Sequence, residues 1–183
     1  MIRSSDPTYV VYKNHRYEID TDYKTALRCL KLSGDETVSD MERVLGIEYM
    51  LFGVLPRDNE EVEYLFNKAK LYLQCGEPEE VHLQRKRDMD FEQDYNFIEA
   101  SFQSDYGIDL STTHMSWWRF MRLLSGLTDK SVLSRVRQIR NQDLSEIKDP
   151  KYRSELARAK EQLALKEKWT EEEQAMINEF DSL

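Results

Sequence analysis

The chain begins with two short runs of aromatic and β-branched residues. Residues 9–12 (YVVY) and 16–19 (RYEI) flank the polar tripeptide 13–15 (KNH). Because β-prone runs on either side of a short polar turn form hairpins, we expect a small β-hairpin at the N-terminus.

Three segments with the hydrophobic period of helices follow the hairpin. The first can be capped by residues 20–22 (DTD) and ends before the break at 33–35 (SGD). Ser39 and Glu42 form a capping-box pattern before a second segment that is apolar on nearly all sides, so we expect a central helix there. The third segment keeps the helical period up to a glycine, and together these elements predict an N-terminal lobe, residues 1–76.

The hydrophobic period is lost between residues 77 and 90. An acidic run at 77–80 (EPEE) precedes a basic run at 85–87 (RKR), and few aliphatic residues lie between them. Such a composition is typical of a linker or a long surface loop. We therefore predict that residues 77–90 connect the N-terminal lobe to a C-terminal helical lobe, residues 91–183.

Five further segments with helical spacing predict the C-terminal lobe. Their apolar residues fall within the ranges 91–102, 115–124, 132–139, 151–168 and 175–180. Ser111, Thr112 or Thr113 is expected to cap the second of these helices, and Thr170 with Glu173 forms a capping box before the last. The expected fold class is mainly α, a helical bundle in two lobes with a small N-terminal β-hairpin.

Composition narrows the class of protein. Of the 183 residues only 6 are Gly and 4 are Pro, while 33% are charged, which favours a helix-rich protein over collagen-like, disordered or all-β classes. The formal charge of −9 gives the chain no long-range attraction to nucleic acid or to an anionic membrane. No apolar run approaches the roughly 18 residues of a membrane span. Cys29 and Cys75 lack the spacing of a zinc site or a disulfide framework, so a reducing compartment is expected.

Charge is distributed unevenly along the second half of the chain. Residues 113–168 contain 13 Lys or Arg against 7 Asp or Glu, whereas residues 169–183 contain five acidic residues and no basic one. The acidic C-terminal segment could therefore fold back on the basic helices. A solvated helical surface with i,i+4 ion pairs is the more ordinary interpretation.

No residue pattern points to an enzyme. His15, His82 and His114 are scattered over a predicted turn, the predicted linker and a helix start, and the chain has no HExxH, GxSxG, GxGxxG or phosphate-loop motif. The acidic runs at 60–63 and 171–173 fall in the first turns of predicted helices, where carboxylates complement the helix dipole. We therefore expect no catalytic, cofactor-binding or metal-binding site.

The adjacent Trp117 and Trp118 are the most informative local feature. Neighbouring positions of a helix point about 100° apart, so two rings do not fit one narrow apolar stripe. Trp118 has helical spacing to Met115, Met121 and Leu124. We therefore expect Trp118 in the core and Trp117 at a partner-binding surface, where Trp is favoured. A wide core face that holds both rings is the open alternative.

Basic residues near the tryptophans leave a nucleic-acid interpretation open. Arg135, Arg137 and Arg140 share one predicted helix, and basic side chains beside aromatic rings can bind phosphates and stack on bases. The overall charge of −9 argues against this interpretation, so nucleic acid is not the expected partner.

Several strings in the second half of the chain resemble those of one phage family. They are residues 90–94 (DFEQD), 98–102 (IEASF), 106–110 (YGIDL), 115–120 (MSWWRF), 123–127 (LLSGL), 137–140 (RQIR) and 144–148 (LSEIK). Together they resemble the bacteriophage gene-product-fifteen family of tailed phages and prophages, typically from Gram-positive hosts. The hairpin followed by residues 19–23 (IDTDY) also fits, and the resemblance covers most of the chain up to Lys168.

The resemblance implies a non-catalytic protein without cofactors. Members are encoded just before the tape-measure gene of long-tailed phages, in a position similar to that of the tail-assembly chaperones. The implied function is to bind the long, hydrophobic tape-measure protein, keep it soluble and help recruit tail-tube subunits. The expected location is the cytoplasm of the host bacterium, with the protein absent from the mature virion. A neighbouring tail chaperone or a second copy of the chain is a further possible partner.

Four residues are candidates for contact with a partner. They are Trp117, Arg119, Arg137 and Arg140. The predicted linker would let the two lobes move around a bound client. The alternatives to a chaperone are a structural tail protein that stays in the virion and a nucleic-acid-binding phage regulator.

Overall fold

The N-terminal hairpin is present as the sequence predicts. A computed structural model describes residues 6–76 and 87–166, and the statements that follow concern those residues. Strands β1 (Tyr9–Tyr12) and β2 (His15–Glu18) pair antiparallel, with Tyr9 opposite Glu18 and Tyr12 opposite His15. Lys13 and Asn14 form the two-residue turn with φ of 45° and 66°. Such left-handed turns match the twist of a hairpin, and Asn tolerates them well.

All other regular elements of the described structure are helices, and the mainly α fold is confirmed. Seven α-helices are present in the described residues: α1 (Tyr23–Ser33), α2 (Asp40–Phe52), α3 (Asn59–Leu73), α4 (Tyr95–Tyr106), α5 (Trp117–Ser125), α6 (Val132–Asn141) and α7 (Pro150–Gln162). A short 3-10 helix, Leu144–Glu146, lies between the last two. Within the two described ranges, no helix is both long enough and apolar enough to cross a membrane.

Local capping chemistry sets where the helices begin. The Asp22 side chain accepts the Lys24 N–H at the start of α1, and Ser39 with Glu42 forms the predicted capping box of α2. The predicted cap of α5 is wrong, because Ser116 caps that helix by accepting the Arg119 N–H. Ser111 is instead held in a turn, where the Asp109 carboxylate accepts both its N–H and its hydroxyl.

The buried residues from the two predicted lobes form one cluster. The Tyr23 ring of α1 stacks on the Phe120 ring of α5 with centroids 4.8 Å apart, and the Tyr23 hydroxyl donates to the Leu110 carbonyl at 2.7 Å. The Trp117 N–H donates to the Thr21 carbonyl at 2.7 Å. Residues on either side of the predicted boundary therefore share a core. Residues 77–86 of the predicted linker lie outside the described residues, so its role stays a prediction.

The expectation that α2 is central is wrong in part. Ile47, Leu51 and Phe52 are buried against α1 and α3, but the Met41 and Tyr49 side chains are exposed. The helix therefore has a buried face and, beside it, an apolar face open to solvent.

The assignment of the two tryptophans is reversed in the structure. Trp117 is 1% exposed, and its Nε1–H donates to the Leu73 carbonyl at 2.9 Å. Trp118 is only half-buried, with its Nε1–H on the Tyr72 carbonyl at 3.0 Å. The buried stripe of α5 is Trp117, Phe120 and Leu124, which have the i, i+3, i+7 spacing of one helix face.

Replacing Trp117 by Ala is expected to lower the free energy of unfolding by about 3 to 5 kcal/mol, because it empties a filled core position and removes a buried hydrogen bond. Trp118→Ala is the matched control and is expected to cost less, since that ring is already partly in water. Urea unfolding of both variants measures the difference. A larger loss for Trp118→Ala would contradict this arrangement of the core.

Candidate functional site

The four residues predicted to contact a partner have different environments. Trp117 is enclosed in the core, where its ring stacks on Phe120 at 5.7 Å between centroids. Arg119 on α5 is exposed and has no ion pair within the described residues. Arg137 on α6 is exposed and pairs with Asp88, Nη2 to Oδ2 at 3.2 Å. The expectation that the Trp117 ring is presented to a partner is therefore wrong.

Arg140 forms an internal clamp rather than an exposed contact. Its guanidinium donates to both carboxylate oxygens of Asp94 at 2.7 Å, and the side chains of Arg140 and Asp94 are only 10% and 1% exposed. The same guanidinium donates to the Asp88 carbonyl at 2.9 Å and to the Leu163 carbonyl at 2.6 Å. The clamp therefore ties α6 to the segment before α4 and to the end of α7. Nothing in the sequence spacing of 46 residues between Arg140 and Asp94 predicts this pair.

An exposed apolar surface lies along α2 and the residues that follow it. Met41, Tyr49 and Leu55 are 57%, 58% and 63% exposed, Val54 is also exposed, and Leu45 is half-buried. Met41, Leu45 and Tyr49 recur every four residues, so they lie along one side of the helix. We call these five residues the α2 surface. A helix of a monomeric protein usually has polar residues in such positions, and an exposed apolar patch typically marks a binding site.

Two glycines, one within α2 and one at its end, explain why the α2 surface faces solvent. Gly46 lets α1 approach closely, because a Cβ there would lie 2.6 Å from Cδ2 of Leu32. Gly53 ends α2 in the left-handed region with φ of 69°, and its N–H donates to the Tyr49 carbonyl at 2.9 Å. Val54 and Leu55 therefore leave the helix in a turn rather than continuing into the core.

Glu48 lies on the same helix and is fully buried. Among the described residues, neither of its carboxylate oxygens has a hydrogen-bond partner of normal geometry. Burial is the largest influence and raises the pKa of Glu48 to about 7. The Phe66 backbone N–H acts in the opposite direction, and the negative charge of Glu61 acts in the same direction as burial. Glu61 itself accepts hydrogen bonds from the Tyr17 hydroxyl and from the Arg57 N–H. These bonds, with the Tyr17 bond the largest influence, lower the pKa of Glu61. The two buried carboxylates therefore differ in the pH at which they ionise.

The fold and the exposed α2 surface define a small, mainly helical protein with an apolar helix face that is open to solvent. The chain belongs to the bacteriophage Gp15 protein family, since the model of that family matches residues 5–165. The resemblance found in the sequence is thereby confirmed, and the protein is phage-related. No curated protein and no solved structure matches the chain.

Replacing Arg140 by Ala is expected to destabilise the protein by about 3 to 5 kcal/mol, because the Asp94 carboxylate is left buried without its cation. Arg137→Ala is the matched control on the same helix, since its partly exposed ion pair contributes at most about 1 kcal/mol. Denaturant unfolding at pH 7 measures both variants. Equal effects of the two substitutions would show that the Arg140 clamp does not hold the fold together.

The stability of the protein is expected to fall as the pH rises from about 4.5 to about 7. In this window the unfolded chain has released the Glu48 proton while the folded state still holds it. Above about pH 7 both states have released the proton, and the loss of stability is complete. Glu48→Gln removes the ionisation, so that variant is expected to exceed the wild type at pH 8 by on the order of 3 kcal/mol. At pH 5 the two proteins should be nearly equal.

Unfolding curves at several pH values measure this difference. The control is the same substitution at exposed Glu63 on α3, where no pH-dependent gain is expected. A gain for Glu48→Gln that stays constant between pH 5 and pH 8 would contradict the assignment.

Proposed function

We propose that this protein is a tail-assembly chaperone that binds the tape-measure protein non-covalently, keeps it soluble and helps recruit tail-tube subunits. Membership of the bacteriophage Gp15 protein family supports a phage role in general. The observation that carries the finer proposal is the α2 surface, an apolar helix face left open to solvent.

The α2 surface has the chemistry that a hydrophobic helical client requires. An amphipathic helix binds by laying its apolar face against another apolar face, with anchors spaced by three or four residues. Met41 provides an adaptable thioether side chain, and Tyr49 provides a large ring with a polar hydroxyl at its tip. Both are more than half exposed, so binding would bury them without unfolding the protein.

The charge of the chain suits the same role. A net charge of −9 provides mutual repulsion between loaded complexes, which opposes their aggregation while the client is bound. In this proposal the protein acts in the cytoplasm of the host bacterium and leaves before the tail is complete. It makes no covalent change to the client.

The test is co-expression of the tagged chain with the tape-measure protein, followed by pull-down and measurement of the soluble client. Tyr49→Asp is expected to reduce recovery of the complex roughly tenfold or more, because it places a charge in the apolar contact. Tyr152→Asp on α7 is the matched control, since that tyrosine is exposed to a similar extent, 50% against 58%. Circular dichroism checks that both variants are folded.

Two outcomes would contradict the proposal. Equal recovery with Tyr49→Asp and Tyr152→Asp would remove the α2 surface as the binding site. If the wild type forms no complex and leaves the solubility of the client unchanged, the chaperone function is wrong. Mass spectrometry of purified virions then tests the alternative, a structural tail protein, which predicts that the chain is present in the particle.

A further inference from the structure

A groove lies between α1 and the segment that leads into α4. Its volume is about 300 Å³, and its apolar walls are formed by Leu27 and Leu30 on one side and by Phe91 and Tyr95 on the other. All four side chains are half-buried. Those of Leu27, Leu30 and Phe91 also pack against the core. The groove therefore offers a preformed apolar seat for a few side chains of the size of Met or Phe.

The described part of the chain ends beside this groove. The Lys166 N–H donates to Oε1 of Gln93 at 2.8 Å, and Nε2 of Gln93 donates back to the Lys166 carbonyl at 3.0 Å. Gln93 follows Glu92, which lines the groove, and lies two residues from Phe91 and two from Tyr95. A few residues earlier, the Arg140 clamp holds the Leu163 carbonyl. The chain is therefore fixed at the point where residues 167–183 depart.

The sequence of residues 167–183 has the pattern of an amphipathic helix. Thr170 and Glu173 form a capping box, and Met176, Ile177 and Phe180 are spaced to share one face. The four residues 167–170 span at most about 14 Å when extended, so a helix that begins after Thr170 starts within reach of the groove.

The charges on the groove rim complement this segment. Helix α1 carries Lys24, Arg28 and Lys31 and no acidic residue, whereas residues 169–183 carry five acidic residues and no basic one. On the opposite rim Asp90 pairs with Arg87 and accepts two backbone N–H groups, and Glu92 pairs with Lys31. Arg28 is exposed and has no ion pair within the described residues. The unneutralised charge of the rim is therefore positive.

We propose that the C-terminal segment docks on its own chain, with Met176, Ile177 and Phe180 seated in the groove between α1 and α4. The acidic face of the segment then lies near Arg28. This location differs from the basic helices α5 to α7 that the charge pattern of the sequence suggests. The inference concerns the chain alone and holds whether or not the protein is a chaperone.

Hydrogen–deuterium exchange of the full chain tests the docking. An isolated helix of fewer than about 12 to 15 residues is only marginally stable in water, so slow exchange within residues 171–180 requires that the segment be docked. The expected exchange is roughly tenfold or more slower than in an unstructured peptide, and Ile177→Asp is expected to abolish this protection. Asn178→Asp is the matched control, because it adds a negative charge one position away on the opposite face.

A second pair of variants locates the docking site. Arg28→Glu is expected to speed the exchange of residues 171–180 severalfold by reversing the charge on the rim, whereas Arg119→Glu, at another exposed arginine, should leave it unchanged. Neither substitution replaces a core residue, so both variants are expected to keep the wild-type fold.

Five results would overturn the inference. The first four are fast exchange of residues 171–180 in the wild type, protection that survives Ile177→Asp, protection that is insensitive to Arg28→Glu, and protection that Tyr49→Asp removes instead, which would place the segment on the α2 surface. Protection that is lost on dilution, together with elution as a dimer, would assign the groove to the segment of a second copy and would also overturn docking within one chain.

Discussion

Phe120 is the ring on which the rest of the core depends. Tyr23 from α1, Phe102 from α4 and Trp117 from α5 all stack on it, with centroids 4.8, 5.1 and 5.7 Å away. Each such aromatic pair contributes about 0.5 to 1.5 kcal/mol beyond the area it buries. Helices from before and after residues 77–90 are therefore held by one aromatic stack. Moving them apart would expose all of these rings to water, so separating the two predicted lobes would cost the contacts of the whole stack.

The Arg140 clamp complements the stack with a polar constraint. Two charges with little exposure are costly unless each is fully hydrogen-bonded, and here Asp94 receives both guanidinium donors and also the Asp90 N–H at 3.0 Å. The remaining guanidinium bonds go to backbone carbonyls of two other segments. The clamp therefore fixes the path of the chain just before α4 and at the end of α7. A residue that sequence analysis assigned to a partner contact instead holds the fold together.

The elements that the sequence predicts correctly are those governed by local chemistry. The hairpin, the Ser39 capping box and the helical periods all depend on residues within a few positions of each other. The Trp117, Phe120 and Leu124 spacing was also a usable signal, but the spacing of Trp118 to Met121 competed with it. The partner of Arg140 and the open face of α2 depend on residues brought together by tertiary packing. A single sequence holds no local signal for the partner of Arg140. The apolar residues on nearly all sides of α2 are a local signal, but they do not show which face stays open.

The extent of the family match distinguishes the α2 surface from the segment proposed to fill the groove. The match covers residues 5–165, which include the whole α2 surface and both walls of the groove but leave out the capping box and apolar residues of the C-terminal segment. A function common to the family must therefore rest on features inside that range, and the α2 surface qualifies. The segment that the groove is proposed to hold lies beyond it.

Helix α1 is common to both surfaces, since it packs on α2 at Gly46 and lines the groove through Leu27 and Leu30. Because α1 is held by the Phe120 stack, one rigid helix supports both surfaces, so occupying the groove does not require α2 to move.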